Sequence, residues 1–240
     1  REPDRVSHFG LGLISSNGVP GNDAFTKILL HFDGTNGSTT FTDSNAAGVS
    51  NSWAAVSNAA ISTSNAKFGP SSLNNGASAQ GIRTAAKTDL NVGSGDFTVD
   101  FWFNLGGGFT SGSGGLVGYG NSTVNPTQWS WEIIRNGAVV QFNISDGTNV
   151  GTSTGSTNVN SGWHHIAVTR ASGTVRLFVD GSQDFSFAWS ANVPGSLGFF
   201  RIGSANSTGG LPDSFIDELR YSVGIARWIA NCTPPTSAYI

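Results

Sequence analysis

The strongest constraint on this chain is its punctuation. Short apolar runs alternate with residue pairs that tolerate positive φ, and no segment sustains a helical period. Phe97-Thr98-Val99-Asp100-Phe101-Trp102-Phe103 alternates, so Phe97, Val99, Phe101 and Phe103 share a face, and a half-buried strand is expected. Similar runs stand at Ile28–Phe32, Trp129–Arg135, Val139–Ile144, Trp163–Thr169, Thr174–Asp180, Phe199–Gly203 and Ser214–Tyr221. Asn136-Gly137, Asp146-Gly147, Ser172-Gly173 and Asp180-Gly181 separate several of them, and tight hairpins need such pairs. Ser222–Asn231 has room for at most a turn or two of helix. About a dozen strands at this spacing mean an all-β fold, a two-sheet antiparallel jelly-roll sandwich.

Composition supports a packed domain and removes several functions. Charged residues are 11% and aromatics 11%, with 16 Phe and 7 Trp. Disordered chains lack such apolar bulk. The net charge is −3 without runs of either sign, so the cationic stripe of a nucleic-acid binder is missing. No apolar stretch approaches the ~20 residues of a membrane-spanning helix, so membrane insertion is not expected. Cys232 is the only cysteine, which excludes an intrachain disulfide and a cysteine-based metal cluster.

Two domain segments follow. Residues 1–26 are broken by Pro and Gly and read as an extended N-terminal arm. Phe9, Leu11 and Leu13 are its candidate anchors on a neighbouring subunit, with a flexible leader as the alternative. Its opening lacks the basic start and apolar middle of a signal peptide. Residues 27–240 form the sandwich. Within it, Gly106–Gly120 and Gly147–Ser161 are rich in Gly, Ser and Thr and read as long rim loops, where ligand sites tend to form.

The order of motifs resembles the laminin-G-like, concanavalin A-type lectin-glucanase jelly roll over residues 27–239. The resemblance rests on Leu29-Leu30-His31-Phe32-Asp33-Gly34, Lys67-Phe68-Gly69-Pro70, Gly95–Trp102, Gly162–Arg170, Thr174–Gly181, Phe215–Arg220 and Gly224–Asn231. The close, through Thr233-Pro234-Pro235-Thr236, is similar to the version found in tailed-bacteriophage structural proteins. Asn74-Asn75 stands where the family commonly has an aspartate, and Cys232 replaces an aromatic. The resemblance implies two sheets packed face to face, with the chain ends paired. It also implies one structural Ca²⁺ where the first and last strands meet, with Asp33 and Asp217 at the matching positions. The alternative for Asp217 is a cap on turn amides or a pair with Arg220 or Arg227. Trp102 and Trp163 are expected to fill the space between the sheets.

Related hydrolases carry Glu-x-Asp-x-x-Glu on one strand, because glycoside cleavage needs two facing carboxylates. Glu132, in Trp129-Ser130-Trp131-Glu132, has no acidic partner at that spacing, and no nucleophile motif accompanies a His and an acid. His164 and His165 are adjacent in a strand and face opposite ways, so they do not chelate one ion. Binding is therefore expected in place of catalysis. Trp129 and Trp131, with Tyr119 ahead of them, offer a stacking platform for sugars, and Trp189 offers a loop lid. The competing reading of a paired-Trp strand is sandwich core. The functional expectation is a non-enzymatic component of a bacteriophage virion surface, of capsid-decoration or tail-fibre type. Its partners would be other virion proteins, copies of itself or a cell-surface glycan. A secreted bacterial adhesin or polysaccharide-binding module is the alternative.

Overall fold

The computed structural model describes residues 21–107, 112–120, 129–195 and 198–240, without the side chain of Trp129. In chain order the strands are β1 (Thr26–Leu30), β2 (Ala54–Ala55), β3 (Ala60–Ser62), β4 (Ser72–Asn74), β5 (Ile82–Ala85), β6 (Phe97–Asn104), β7 (Ser113–Gly120) and β8 (Trp129–Asn136). Then come β9 (Val139–Ser145), β10 (Val150–Thr154), β11 (Trp163–Ala171), β12 (Thr174–Val179), β13 (Ser182–Ala188), β14 (Phe199–Ile202) and β15 (Phe215–Val223). Among the described residues the only helix is a single 3₁₀ turn, Thr88–Leu90.

The strands form two antiparallel sheets. One runs β13-β12-β11-β6-β15-β4-β3, with β1 also on β15, and the other runs β10-β9-β8-β7-β14-β5-β2. The first and last described strands are paired, with β1 along β15 from Thr26↔Ser222 to Leu30↔Leu219. β15 switches partner at a bulge: Phe215 and Ile216 pair with β4, and its later residues pair with β1. Glu218, at φ 47°, sits in the register shift between Asp217 and Arg220. The Asp180-Gly181 and Ser172-Gly173 hairpins have both residues at positive φ. A Cβ on Gly181 would also lie 2.0 Å from the Cys232 carbonyl oxygen, so glycine is required there twice over.

The inner faces meet in one aromatic core. Trp131 is fully buried, with ring centroids 5.5 Å from Phe200 and Tyr221 and 6.2 Å from Phe97. Trp102 and Trp163 are not in this gap. Phe101 and Phe103 take the inner positions, so Trp102 points outward, against Phe68 and His165. Trp163 is half-buried and donates Nε1–H to Asn65. β6 is also buried on both faces, not on one, because residues 224–240 cross its outer side. There Thr98 bonds Ile225 and Arg227, and Thr169 bonds the Trp228 carbonyl.

Two of the expected loops contain strands. Ser113–Gly120, the second half of the first run, forms β7, and the second run contains β10. Glycine in β7 serves packing: a Cβ on Gly115 would lie 2.0 Å from the Ala205 nitrogen, and one on Gly118 would lie 3.1 Å from the Ala205 Cα. The segment following β14 thereby lies flat on the sheet. Packing begins ahead of residue 27: Gly21 accepts from Thr26 and Arg220, and Asp23 pairs with Arg227 at 2.8 Å. Phe9, Leu11 and Leu13 lie outside the described residues.

Candidate functional site

The outer face of the seven-stranded sheet carries a row of facing positions: Ala54, Arg83, Arg201, Gly118, Glu132, Asn143 and Thr152. They face outward because their strand neighbours Ile82, Phe200, Ile202, Val117, Ile133 and Phe142 belong to the core. Glu132 is buried within the row, between Gly118 and Asn143. It accepts from Asn143 Nδ2, the amides of Asn206 and Ser207, and the Ser207 hydroxyl. Asn206 Nδ2 in turn donates to the Trp131 carbonyl. Glu132 is thus the clamp that fastens the segment after β14 to the sheet.

Beside this clamp opens a pocket of about 220 Å³, whose polar lining includes Gln80, Arg83, Arg201, Ser204, Asn206 and Thr208. Arg83 and Arg201 are direct cross-strand partners. Their guanidiniums lie over the same ring, 4.2 Å and 5.3 Å from the Phe199 centroid. Arg201 Nη1 donates to the Gly120 carbonyl and to Asn206 Oδ1. Burial and the adjacent Arg83 charge both lower the Arg201 pKa. Convergent amide, hydroxyl and guanidinium groups around a half-open hollow are what a polyhydroxylated ligand requires. A second hollow, of about 250 Å³, is lined mainly by Leu30, Phe32, Phe41 and Ile61, with His31 and Asp33 among its few charged groups.

Two residues of the expected stacking platform, Trp131 and Tyr119, are not on the surface. Trp131 is in the core, and Tyr119 is 1% exposed, with its hydroxyl on the Lys87 carbonyl and Asn91. Burial pushes Tyr119 up to about 12. Both are inward because they occupy the positions facing the other sheet, which is the core alternative for this strand. Trp129 lies at the start of β8. Trp189 packs against the core and over Gly151, where a Cβ would lie 2.6 Å from its ring. It closes the sandwich edge, alongside Asp184, which accepts from Ser156 and Thr157.

Of the two aspartates expected to hold calcium, Asp217 is engaged as an amide cap. Asp217 Oδ2 accepts from the Lys67 and Phe68 amides, and Oδ1 accepts from the Glu218 amide. A carboxylate surrounded by N–H donors is an amide cap. Ca²⁺ takes six to eight oxygen ligands, and no group of three metal-ligating side chains occurs among the described residues. Burial, with the neighbouring Glu218 charge, pushes Asp217 up to about 7 against the pull of its amide donors. Glu218 holds His31 Nδ1 at 2.9 Å and accepts the Tyr239 amide.

Nearby, Asp100 is fully buried on the outer side of β6. It pairs with Arg220 at 3.0 Å, accepts the Tyr239 hydroxyl and lies 3.5 Å from His165. The Tyr239 ring stacks under the Arg220 guanidinium at 4.0 Å. This network latches residues 224–240 across the larger sheet. His164 turns the other way and bonds Asp180 at 2.7 Å, so the two histidines diverge.

Sequence reasoning missed Arg83, Arg201 and Asn206. The outward alternation of Ile82-Arg83-Thr84 and Phe200-Arg201-Ile202 was available as a signal. Their juxtaposition, however, depends on the β5–β14 pairing, which no local pattern announces.

The two stacked sheets and the polar outer-face pocket define a lectin-like jelly roll. A family model described as concanavalin A-like lectin/glucanases superfamily, the Laminin_G_3 domain, matches residues 75–222, and the chain belongs to that superfamily. No curated protein matches the chain significantly. Among solved structures, the binding domain of Paraclostridial Mosquitocidal Protein 1 is similar, with a TM-score of 0.61 at 14% identity, covering 84% of this chain and 49% of that one. The receptor-binding domain of botulinum neurotoxin D gives a TM-score of 0.62 at 11% identity, covering 85% and 50%. A botulinum neurotoxin serotype D ligand-binding domain in complex with N-acetylneuraminic acid gives 0.59 at 11%, covering 85% and 48%. This chain spans about half the length of each, and the likeness is one of fold.

Proposed function

We propose that this domain binds glycans without cleaving them and serves as a host-surface adhesin on a bacteriophage virion. The observation that carries the reading is the outer-face pocket, where Gln80, Arg83, Arg201, Ser204, Asn206 and Thr208 converge. Sugar hydroxyls are satisfied by such groups, and the volume is below the ~300–1,000 Å³ typical of enclosed ligand pockets, so a single sugar unit suits it. The non-catalytic part rests on Glu132. Four donors occupy its oxygens, and Gly118 and Asn143, its partners across the strands, carry no carboxylate.

The virion placement is supported by the closing Gly224–Asn231 and Thr233–Thr236 stretch, similar to phage structural proteins. Its partners there would be other virion proteins or copies of itself. The fold shared with the binding domains of toxins favours the second reading, a secreted bacterial adhesin. Copurification with phage particles separates the two.

A glycan array followed by titration tests the binding. Gln80→Ala and Thr208→Val should weaken binding while the melting temperature stays constant. Absence of binding to every glycan, or release of reducing ends from a bound one, would overturn the proposal.

A further inference from the structure

The seven-stranded sheet contains a local charge conflict. Arg83 and Arg201 face each other directly across β5 and β14, a placement that ordinarily destabilises a sheet. The chain as a whole is acidic, at net −3, so this pairing is a local exception. Ion pairs among the described residues join Asp23 to Arg227 and Asp100 to Arg220, and none involves Arg83. Arg83 is exposed, while Arg201 is partly buried and held by Gly120 and Asn206. The Phe199 ring fixes both guanidiniums from below. Around them stand neutral hydrogen-bonding groups: Gln80, Ser204, Asn206 and Thr208.

We propose that the glycan recognised at this site is acidic, with its anionic group received between Arg83 and Arg201 and its hydroxyls taken by the neutral groups around them. This rests on the glycan-binding reading and specifies its ligand class. Two planar forks at one spot match the oxygens of a carboxylate or a phosphate. An anion between them would turn the repulsion of the empty pair into attraction at both. Either a sugar carboxylate, as in a sialic or uronic acid, or a sugar phosphate supplies that chemistry.

The test is calorimetric titration of the purified domain with matched pairs. These are sialyllactose against lactose, trigalacturonate against galactotriose, and glucose 6-phosphate against glucose, with inorganic phosphate alone as a further arm. At least one acidic member should bind about tenfold or more tightly than its neutral partner, as expected for charge-assisted hydrogen bonds. Which pair shows the gap distinguishes carboxylate from phosphate. The gap should close in Arg83→Gln, persist in part in Arg83→Lys, and narrow as salt is raised. Arg83 is exposed, so both variants should keep the parent melting temperature.

Equal affinity for acidic and neutral members would overturn the inference and leave glycan binding standing. Inorganic phosphate binding as tightly as the best acidic sugar, with the same Arg83 dependence, would overturn it in favour of a bare ion site. Failure of every sugar to bind would overturn both readings.

Discussion

Asp100→Asn is the substitution that probes the tail latch most sharply. The side chain is fully buried and engages Arg220, Tyr239 and His165 together. Asparagine keeps its shape and one acceptor, so the lost quantity is the charge opposite Arg220. Removing one partner of a buried pair leaves the other uncompensated, at ~3–5 kcal/mol. The retained Arg220 Nε bond puts Asp100→Asn near the lower end, about 3 kcal/mol. At ~2–4 °C per kcal/mol for a domain of this size, the melting temperature should fall by about 6–12 °C. Urea denaturation should show a lower midpoint at constant slope. Tyr239→Phe should cost less, about 1.5–3 kcal/mol for one hydrogen bond to a charged group, and should couple to Asp100→Asn in a double-mutant cycle. Burial raises Asp100, but Arg220, His165 and Tyr239 outweigh it, and the carboxyl titrates below its ordinary value. Its contribution is therefore complete above about pH 4 and is lost as pH falls through its native value. A shift of under about 2 °C for Asp100→Asn would show that the latch carries no net stability.

The remaining expectations concern the core, the site scaffold and the bulge. Trp131→Ala should destabilise by ~3–5 kcal/mol, because it empties the centre of the aromatic cluster; unfolding midpoints check it. Gly115→Ala places a methyl against the Ala205 backbone, so it should destabilise by ~1–3 kcal/mol and weaken glycan binding as the Ser204–Gly209 segment lifts. Asp217 is raised to about 7, and His31 is raised chiefly by its bond to Glu218, against its own burial. Both bind a proton more tightly in the folded state, so the Asp217 contribution should be lost as pH rises from about 4 to about 7 and the His31 contribution as pH rises beyond about 6.5; Asp217→Asn should flatten the lower part of that fall. EDTA should leave the melting temperature unchanged, since the Asp217 carboxylate caps amides; a fall on chelation would restore a metal at this bulge.

The strand inventory was legible because alternation is local. Phe97–Phe103 and the Asp180-Gly181 turn announce themselves within a few residues. What covers a strand is not local. β6 reads as half-buried, yet a segment from the far end of the chain lies on its outer side, held by Thr98 and Asp100. Trp102 was misplaced against the local pattern, since alternation with Phe101 and Phe103 turns it outward; only its cover, Phe68 and His165, is non-local. Gly, Ser and Thr content suggests a loop over Ser113–Gly120 because glycine ordinarily weakens a strand. In β7 it instead makes room for Ala205. Trp131 and Tyr119 illustrate the cost of reading aromatics as ligands when a sandwich needs them as core. Asp217 followed its amide-cap alternative, which the sequence had offered beside calcium.

The most direct test of the central claim is to map a bound oligosaccharide on the isotopically labelled domain by amide chemical-shift perturbation. Shifts concentrated at Arg83, Phe199, Arg201, Asn206 and Thr208 are the expected result. Shifts confined to the opposite sheet or to the hollow beside His31 and Asp33 would contradict the assignment of the site.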